Sequence, residues 1–103
     1  MKSRLNVTRL AEEDLLSIWD YVSDDNVTAA NELLTSIESK FVVIQSQPNA
    51  GVLRSDLVPG IRSVPIGNYL IFYRAEAITV TVLRVLHGAQ DLRAIFRRQL
   101  GSD

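Results

Sequence analysis

Residues 69–87 read Tyr69-Leu70-Ile71-Phe72-Tyr73-Arg74-Ala75-Glu76-Ala77-Ile78-Thr79-Val80-Thr81-Val82-Leu83-Arg84-Val85-Leu86-His87. The stretch resolves into a strand, a turn and a second strand. Tyr69 to Arg74 is a short apolar and aromatic run, the signature of a buried strand. Ala75-Glu76-Ala77 turns the chain. Ile78-Thr79-Val80-Thr81-Val82 alternates strictly, which predicts one buried face. Leu83 and Val85 then shift the apolar phase by one, so a bulge or burial on both faces is expected there. Upstream, Gly67-Asn68 is a two-residue turn signal. Residues 61–66 are strand-like but contain Pro65, which points to an edge or a bulge. Three strands joined by tight turns predict an antiparallel meander.

The first half changes period. Arg4-Leu5-Asn6-Val7 reads as a short strand with Leu5 and Val7 inward. Thr8 suits a helix N-cap, and Glu12, Glu13 and Asp14 follow where the helix dipole favours acids. Ala11, Leu15, Ile18 and Val22 recur on one helical face, widened by Trp19. Asp24-Asp25-Asn26 is a turn and cap cluster. Ala30, Leu33, Leu34, Ile37, Phe41 and Ile44 form the stripe of a second helix, ended by Pro48 and Gly51. The short connection predicts an antiparallel helical hairpin. Asp91 is placed to cap a last short helix containing Leu92, Ile95, Phe96 and Leu100. The order β-α-α-β-β-β-α describes an α+β domain of two layers, with the helices on one face of an antiparallel sheet.

Residues 1–103 suffice for one domain and one core, since two halves would each be too small. Apolar residues make up 47%, which excludes disorder. There is no cysteine, so disulfides and thiolate metal sites are excluded. A cytoplasmic location is expected. No apolar run opens the chain, so no signal peptide is expected, and none is long enough to span a membrane. The formal charge of −1 hides a split. Residues 1–50 carry 4 bases and 8 acids, whereas residues 51–103 carry 7 bases, all arginine, and 4 acids. Near-neutrality argues against a general polyanion binder.

Few chemistries fit. No phosphate-binding loop or dinucleotide fingerprint is present. One histidine without cysteine makes a metal site unexpected, and no cofactor is expected. The acids Glu12 to Asp14 are explained by the helix start. His87 reads as a strand-end histidine bonded to backbone. Arg74 and Arg84 either line an anion-binding face or pair with Asp91, Glu76 or the helix acids. Arg93, Arg97 and Arg98 favour the dipole at the end of the last helix and also suit an acidic partner.

The segment Arg84-Val85-Leu86-His87-Gly88-Ala89-Gln90-Asp91-Leu92, together with Gly60-Ile61-Arg62 and residues 68–74, resembles the ParE/RelE superfamily of bacterial toxins from type II toxin–antitoxin systems. The likeness extends over nearly the whole chain. It includes Asp14-Leu15 and Ile18-Trp19 in the first helix and the helix stop Gln47-Pro48-Asn49-Ala50-Gly51. It implies a single ParE/RelE-like domain over residues 1–103.

Two branches of that superfamily imply different functions. RelE-like members cut messenger RNA on the ribosome, which needs a proton acceptor, a proton donor and cations. On that branch the resemblance offers Arg62, Arg74, Arg84 and His87 as catalytic residues. The chain departs from the pattern, with Leu70 where many such nucleases have arginine, Phe96 where a phenol would act, and lysine only at positions 2 and 40. ParE-like members generally lack these groups and inhibit DNA gyrase by binding. The resemblance is closer to this branch, so no catalytic residue is expected. It implies a ParD-like antitoxin wrapping the hairpin and sheet at Leu15, Trp19, Leu33, Ile37, Tyr69, Phe72, Arg74 and Arg84. Target contact is expected at Arg93, Ile95, Phe96, Arg97 and Arg98, and DNA contact only through the antitoxin. A third reading is a non-toxic member that only binds its antitoxin and tunes transcription.

Overall fold

The computed structural model describes residues 3–101, folded as β1 (Arg4–Val7), α1 (Arg9–Ser23), α2 (Val27–Ser46), β2 (Val52–Leu53), β3 (Ile61–Ile66), β4 (Tyr69–Ala75), β5 (Thr79–His87) and α3 (Leu92–Gly101). Met1 and Lys2, the start of the segment read for a leader, lie outside the described residues, as does the side chain of Leu100.

The meander forms as expected. Gly67 takes φ of +56° in the turn between β3 and β4, a conformation open to glycine at no steric cost. The strands then pair antiparallel from Ile66↔Tyr69 to Ile61↔Arg74. Strand β5 pairs antiparallel with β4, and the register slips between Phe72↔Arg84 and Tyr73↔Val82. Leu83 is therefore the extra residue of a bulge, which explains the shifted apolar phase of its segment. Pro65 lies beyond the reach of β2, which pairs only with Ser63 and Arg62, so the proline occupies an open edge.

The sheet order is β1-β5-β4-β3-β2. Two features differ from the sequence expectation. Strand β1 joins β5 in parallel, from Arg4↔Thr79 to Val7↔Val82, so the sheet is mixed. The hairpin makes this possible by carrying the chain across the sheet before it re-enters. Strand β2 has only two residues, too few to show a period.

Both helices of the hairpin begin on the expected caps. Thr8 Oγ1 accepts from Ala11 N–H at 3.1 Å, and Asn26 Oδ1 accepts from Ala29 N–H at 2.9 Å. Trp19 Nε1 donates to Asn31 Oδ1 at 2.8 Å and ties α1 to α2. The predicted stripes face the sheet: Ala11, Ile18, Ile37, Phe41 and Ile44 join Ile71, Tyr73, Val80, Val82 and Val85 in the main core. Each such large aliphatic side chain contributes about 1.5–3 kcal/mol.

Helix α3 does not join that layer. Phe96 packs with Ile61, Phe72 and Leu86 in a second cluster, bordered by Leu57, Val58, Leu92 and Ile95. Successive residues of β4 alternate between the clusters, with Ile71 and Tyr73 in one and Phe72 in the other. The hairpin therefore covers one face of the sheet, while α3 and the 54–60 loop cover part of the other. A single apolar stripe specifies that a helix packs, not which face receives it.

Candidate functional site

Strand β5 outruns its neighbour. β1 covers it only as far as Val82, which leaves the edge from Leu83 to His87 without a strand. Side chains occupy that edge instead. Thr8 Oγ1 donates to Leu83 O at 3.0 Å, Asp14 Oδ2 accepts from Val85 N–H at 2.9 Å, and Gln90 Oε1 accepts from His87 N–H at 2.8 Å. An edge closed in this way offers no template for a further strand.

Asp14 also holds Arg84 with a two-pronged bond, Nε to Oδ2 at 2.7 Å and Nη2 to Oδ1 at 2.8 Å. Arg84 Nη1 donates to Gln99 Oε1 of α3 at 3.2 Å. The pair is mostly enclosed, with side chains 17% and 13% exposed, and the bond to Asp14 raises the Arg84 pKa. Of the partners expected for this arginine, the helix acids are the ones found.

His87 is held as a strand-end residue. Its Nδ1 accepts from Ala89 N–H at 3.0 Å, so the neutral ring is assigned its proton on Nε2. The ring meets Tyr69 edge-on at 5.2 Å. Both line a cleft of about 910 Å³ between the hairpin and the turns at 67–68 and 88–90. Ile18, Val22 and Leu33 give it apolar walls, and Tyr21, 78% exposed, stands at its mouth. Ser17, Asn68 and Gln90 add polar groups. Burial, with the neighbouring Tyr21 as a smaller cause, raises the Tyr69 pKa above that of an ordinary phenol.

Arg62 serves the loop after α2. Its Nη1 donates to Asn49 O at 3.0 Å and Gly51 O at 2.8 Å. Tyr73 completes this clamp: its hydroxyl accepts from Gly51 N–H at 3.0 Å and donates to Pro48 O at 2.7 Å. A Cβ on residue 51 would lie 2.5 Å from that hydroxyl, so glycine is required.

The four residues suited to RNA cleavage are not brought together. Arg62 shares its face with Val64 and the hairpin, whereas Arg74 shares its face with Phe72 and α3. Arg62 and His87 pair with Tyr73 and Tyr69, four residues and roughly 13 Å apart along β4. Arg84 is engaged by Asp14. Among the described residues no group of three or more histidines and acids stands ready to hold a metal ion, and no helix is long and apolar enough to cross a membrane.

The expected contact residues divide in the same way. Leu15, Trp19, Leu33, Tyr69 and Arg74 keep accessible surface. Ile37 and Phe72 are 0% exposed, which removes them from any contact surface in this conformation: one anchors α2 on the sheet and the other lies beneath α3. Arg93, Arg97 and Arg98 are exposed on α3 and Ile95 is half-buried. Phe96, 2% exposed, packs edge-on against Phe72 at 4.9 Å and is core, not contact. Sequence reasoning missed Asp14 as a strand-edge cap, Tyr21 at the cleft mouth and the Tyr73 clamp. Tyr21 alone left a signal, as an aromatic residue outside the α1 stripe.

Comparison with known proteins agrees with this geometry. The family model for the ParE toxin of the parDE type II toxin–antitoxin system matches residues 5–92. Toxin ParE3 of Caulobacter vibrioides is 35% identical over 88 residues, which is 84% of this chain and 88% of the relative. Toxin ParE1 of Mycobacterium tuberculosis is 30% identical over 94 residues, 89% of this chain and 96% of the relative. A structure of the chromosomal ParDE system from P. aeruginosa superposes with a TM-score of 0.72 at 26% identity, covering 84% of this chain and 96% of that one. The RelBE2 toxin–antitoxin complex of M. tuberculosis shares the fold, with a TM-score of 0.59 at 23% identity over 84% of this chain and 99% of that one. The matched span takes in the hairpin, all of the sheet but Arg4, and the strand exit at His87, and the chain belongs to the ParE toxin family of type II toxin–antitoxin systems.

Proposed function

We propose that this chain inhibits DNA gyrase by binding, which blocks replication, and that a ParD-like antitoxin neutralises it in the cytoplasm. The observation that carries the reading is the dispersal of Arg62, Arg74, Arg84 and His87 in a chain of the ParE family. Two arginines are committed to structural bonds, and the four residues occupy both faces of the sheet. General acid–base cleavage of RNA requires donor and acceptor within hydrogen-bond reach of one phosphate. A binding inhibitor requires only a surface. The antitoxin's contact is assigned to the hairpin side, at Leu15, Trp19, Leu33 and Tyr69; the last two line the cleft, whose apolar walls and polar groups suit the anchors of a segment that folds on binding. The target's contact is assigned to Arg93, Ile95, Arg97 and Arg98 on α3.

Induction of the chain in bacteria tests the reading. The expected result is growth arrest with a DNA-damage response, relieved by co-expression of the antitoxin. New 5′ ends in cellular messages without DNA damage support a nuclease instead, and normal growth excludes both forms of toxicity.

A further inference from the structure

The face that carries α3 holds arginines for which the fold has no use. Arg54 N–H donates to Ile61 O at 2.7 Å, Ile61 pairs with Arg74, and Arg74 pairs with Thr81, so these residues form one cross-strand row. The Arg54 guanidinium lies over the Phe72 ring, 5.8 Å from its centre. A Cβ on Gly60 would lie 3.2 Å from Arg74 Nη1, which places that guanidinium against the 54–60 loop. Arg93 and Arg97 lie four residues apart on one flank of α3. Among the described residues, Arg74, Arg93 and Arg97 form no ion pair.

One carboxylate already sits on this face. Asp56 is held by Arg54 through two bonds, Nε to Oδ1 at 3.1 Å and Nη2 to Oδ2 at 3.1 Å. The Arg54 hydrogen bond lowers its pKa most. Leu57 and Val58 of the loop border the same apolar cluster as Leu92 and Ile95, which sets α3 beside the loop. The chain therefore displays the ligand chemistry that the surface accepts, with the Arg74 guanidinium against the same loop and Arg93 and Arg97 on the helix packed beside it.

We propose that this face docks an acidic segment of a partner polypeptide, seating its side-chain carboxylates on Arg74, Arg93 and Arg97. Charge complementarity and the planar fork of arginine favour carboxylates. Nucleic acid fits less well. Non-specific single-strand binding uses exposed aromatic platforms, and the two phenylalanines of this face, Phe72 and Phe96, are closed off. Three arginines would release about two counterions from a single strand, a weak footing for a chain of net charge −1. The proposal deepens the toxin reading by naming the chemistry of the target's contact, and it rests on that reading only for the target's identity.

The test titrates the full chain with a labelled glutamate-rich peptide and, separately, with an oligothymidylate of equal charge. The intact chain is expected to prefer the peptide. R74Q/R93Q/R97Q is expected to weaken peptide binding about tenfold or more, whereas R9Q and K40Q leave it unchanged. Circular dichroism checks the fold of each variant, and R93Q/R97Q replaces the triple variant if its spectrum changes. No peptide binding, equal loss in the control variants, or tighter binding of the oligonucleotide overturns the proposal. A chain that inhibits gyrase without binding the peptide overturns this docking chemistry and leaves the toxin reading standing. One that binds the peptide without affecting gyrase does the reverse.

Discussion

Asp14 lies near the start of α1, where acids ordinarily serve the helix dipole, yet it satisfies three donors on β5. Removing it leaves the mostly enclosed Arg84 without a counter-charge and Val85 N–H without an acceptor. Asp14→Ala is expected to lower unfolding free energy by about 3–5 kcal/mol in urea titration. Asp14→Ala with Arg84→Met is expected to recover part of that loss, because the stranded charge goes too; full additivity of the two changes would contradict the account. The contact spans 70 residues of sequence. Local pattern identifies the helix start but carries nothing about a partner that far along the chain. Tyr69 supplies a second expectation at this scale. Its folded pKa is raised, so the unfolded phenol ionises first, at about 10. Its stabilising contribution is complete below that pH and is lost as pH rises through the folded value. Tyr69→Phe is expected to flatten the alkaline fall in stability, measured as melting temperature against pH.

At the scale of elements, the period of each segment was readable and its neighbours were less so. The two helical stripes, their caps at Thr8 and Asn26 and the meander all stand where the residues indicate. The phase slip at Leu83 marks a real bulge. The parallel partner of β1 and the face occupied by α3 depend on how the hairpin steers the chain, which no period encodes. The candidate site was legible in part for the same reason. His87 was readable as a strand end, while the separation of Arg62 from Arg74 follows from register. Phe96 is the main anchor of α3, so Phe96→Ala is expected to cost about 3–5 kcal/mol. Hydrogen exchange in α3 is expected to accelerate more than in β1. Equal acceleration throughout would mean that α3 is not a separately anchored unit.

For the whole molecule, the split in charge along the sequence becomes a split between faces. Asp20, Asp24, Asp25 and Glu32 are exposed on the hairpin, whereas Arg93 and Arg97 are exposed on the opposite side of the sheet. The net charge of −1 therefore describes no part of the surface. Such a molecule has two chemically different faces, an apolar cleft beside acids and an arginine-bearing helix beside a loop. A nuclease would instead concentrate its polar groups on one scissile phosphate. The central claim is that this toxin acts by binding gyrase. The most direct test adds the purified chain to DNA gyrase and relaxed plasmid, and follows supercoiling and cleavage complexes by gel electrophoresis. The account predicts that supercoiling falls or cleavage complexes accumulate as the chain is added, and that prior addition of the antitoxin prevents this; unchanged supercoiling and cleavage at a large excess of the chain would contradict it.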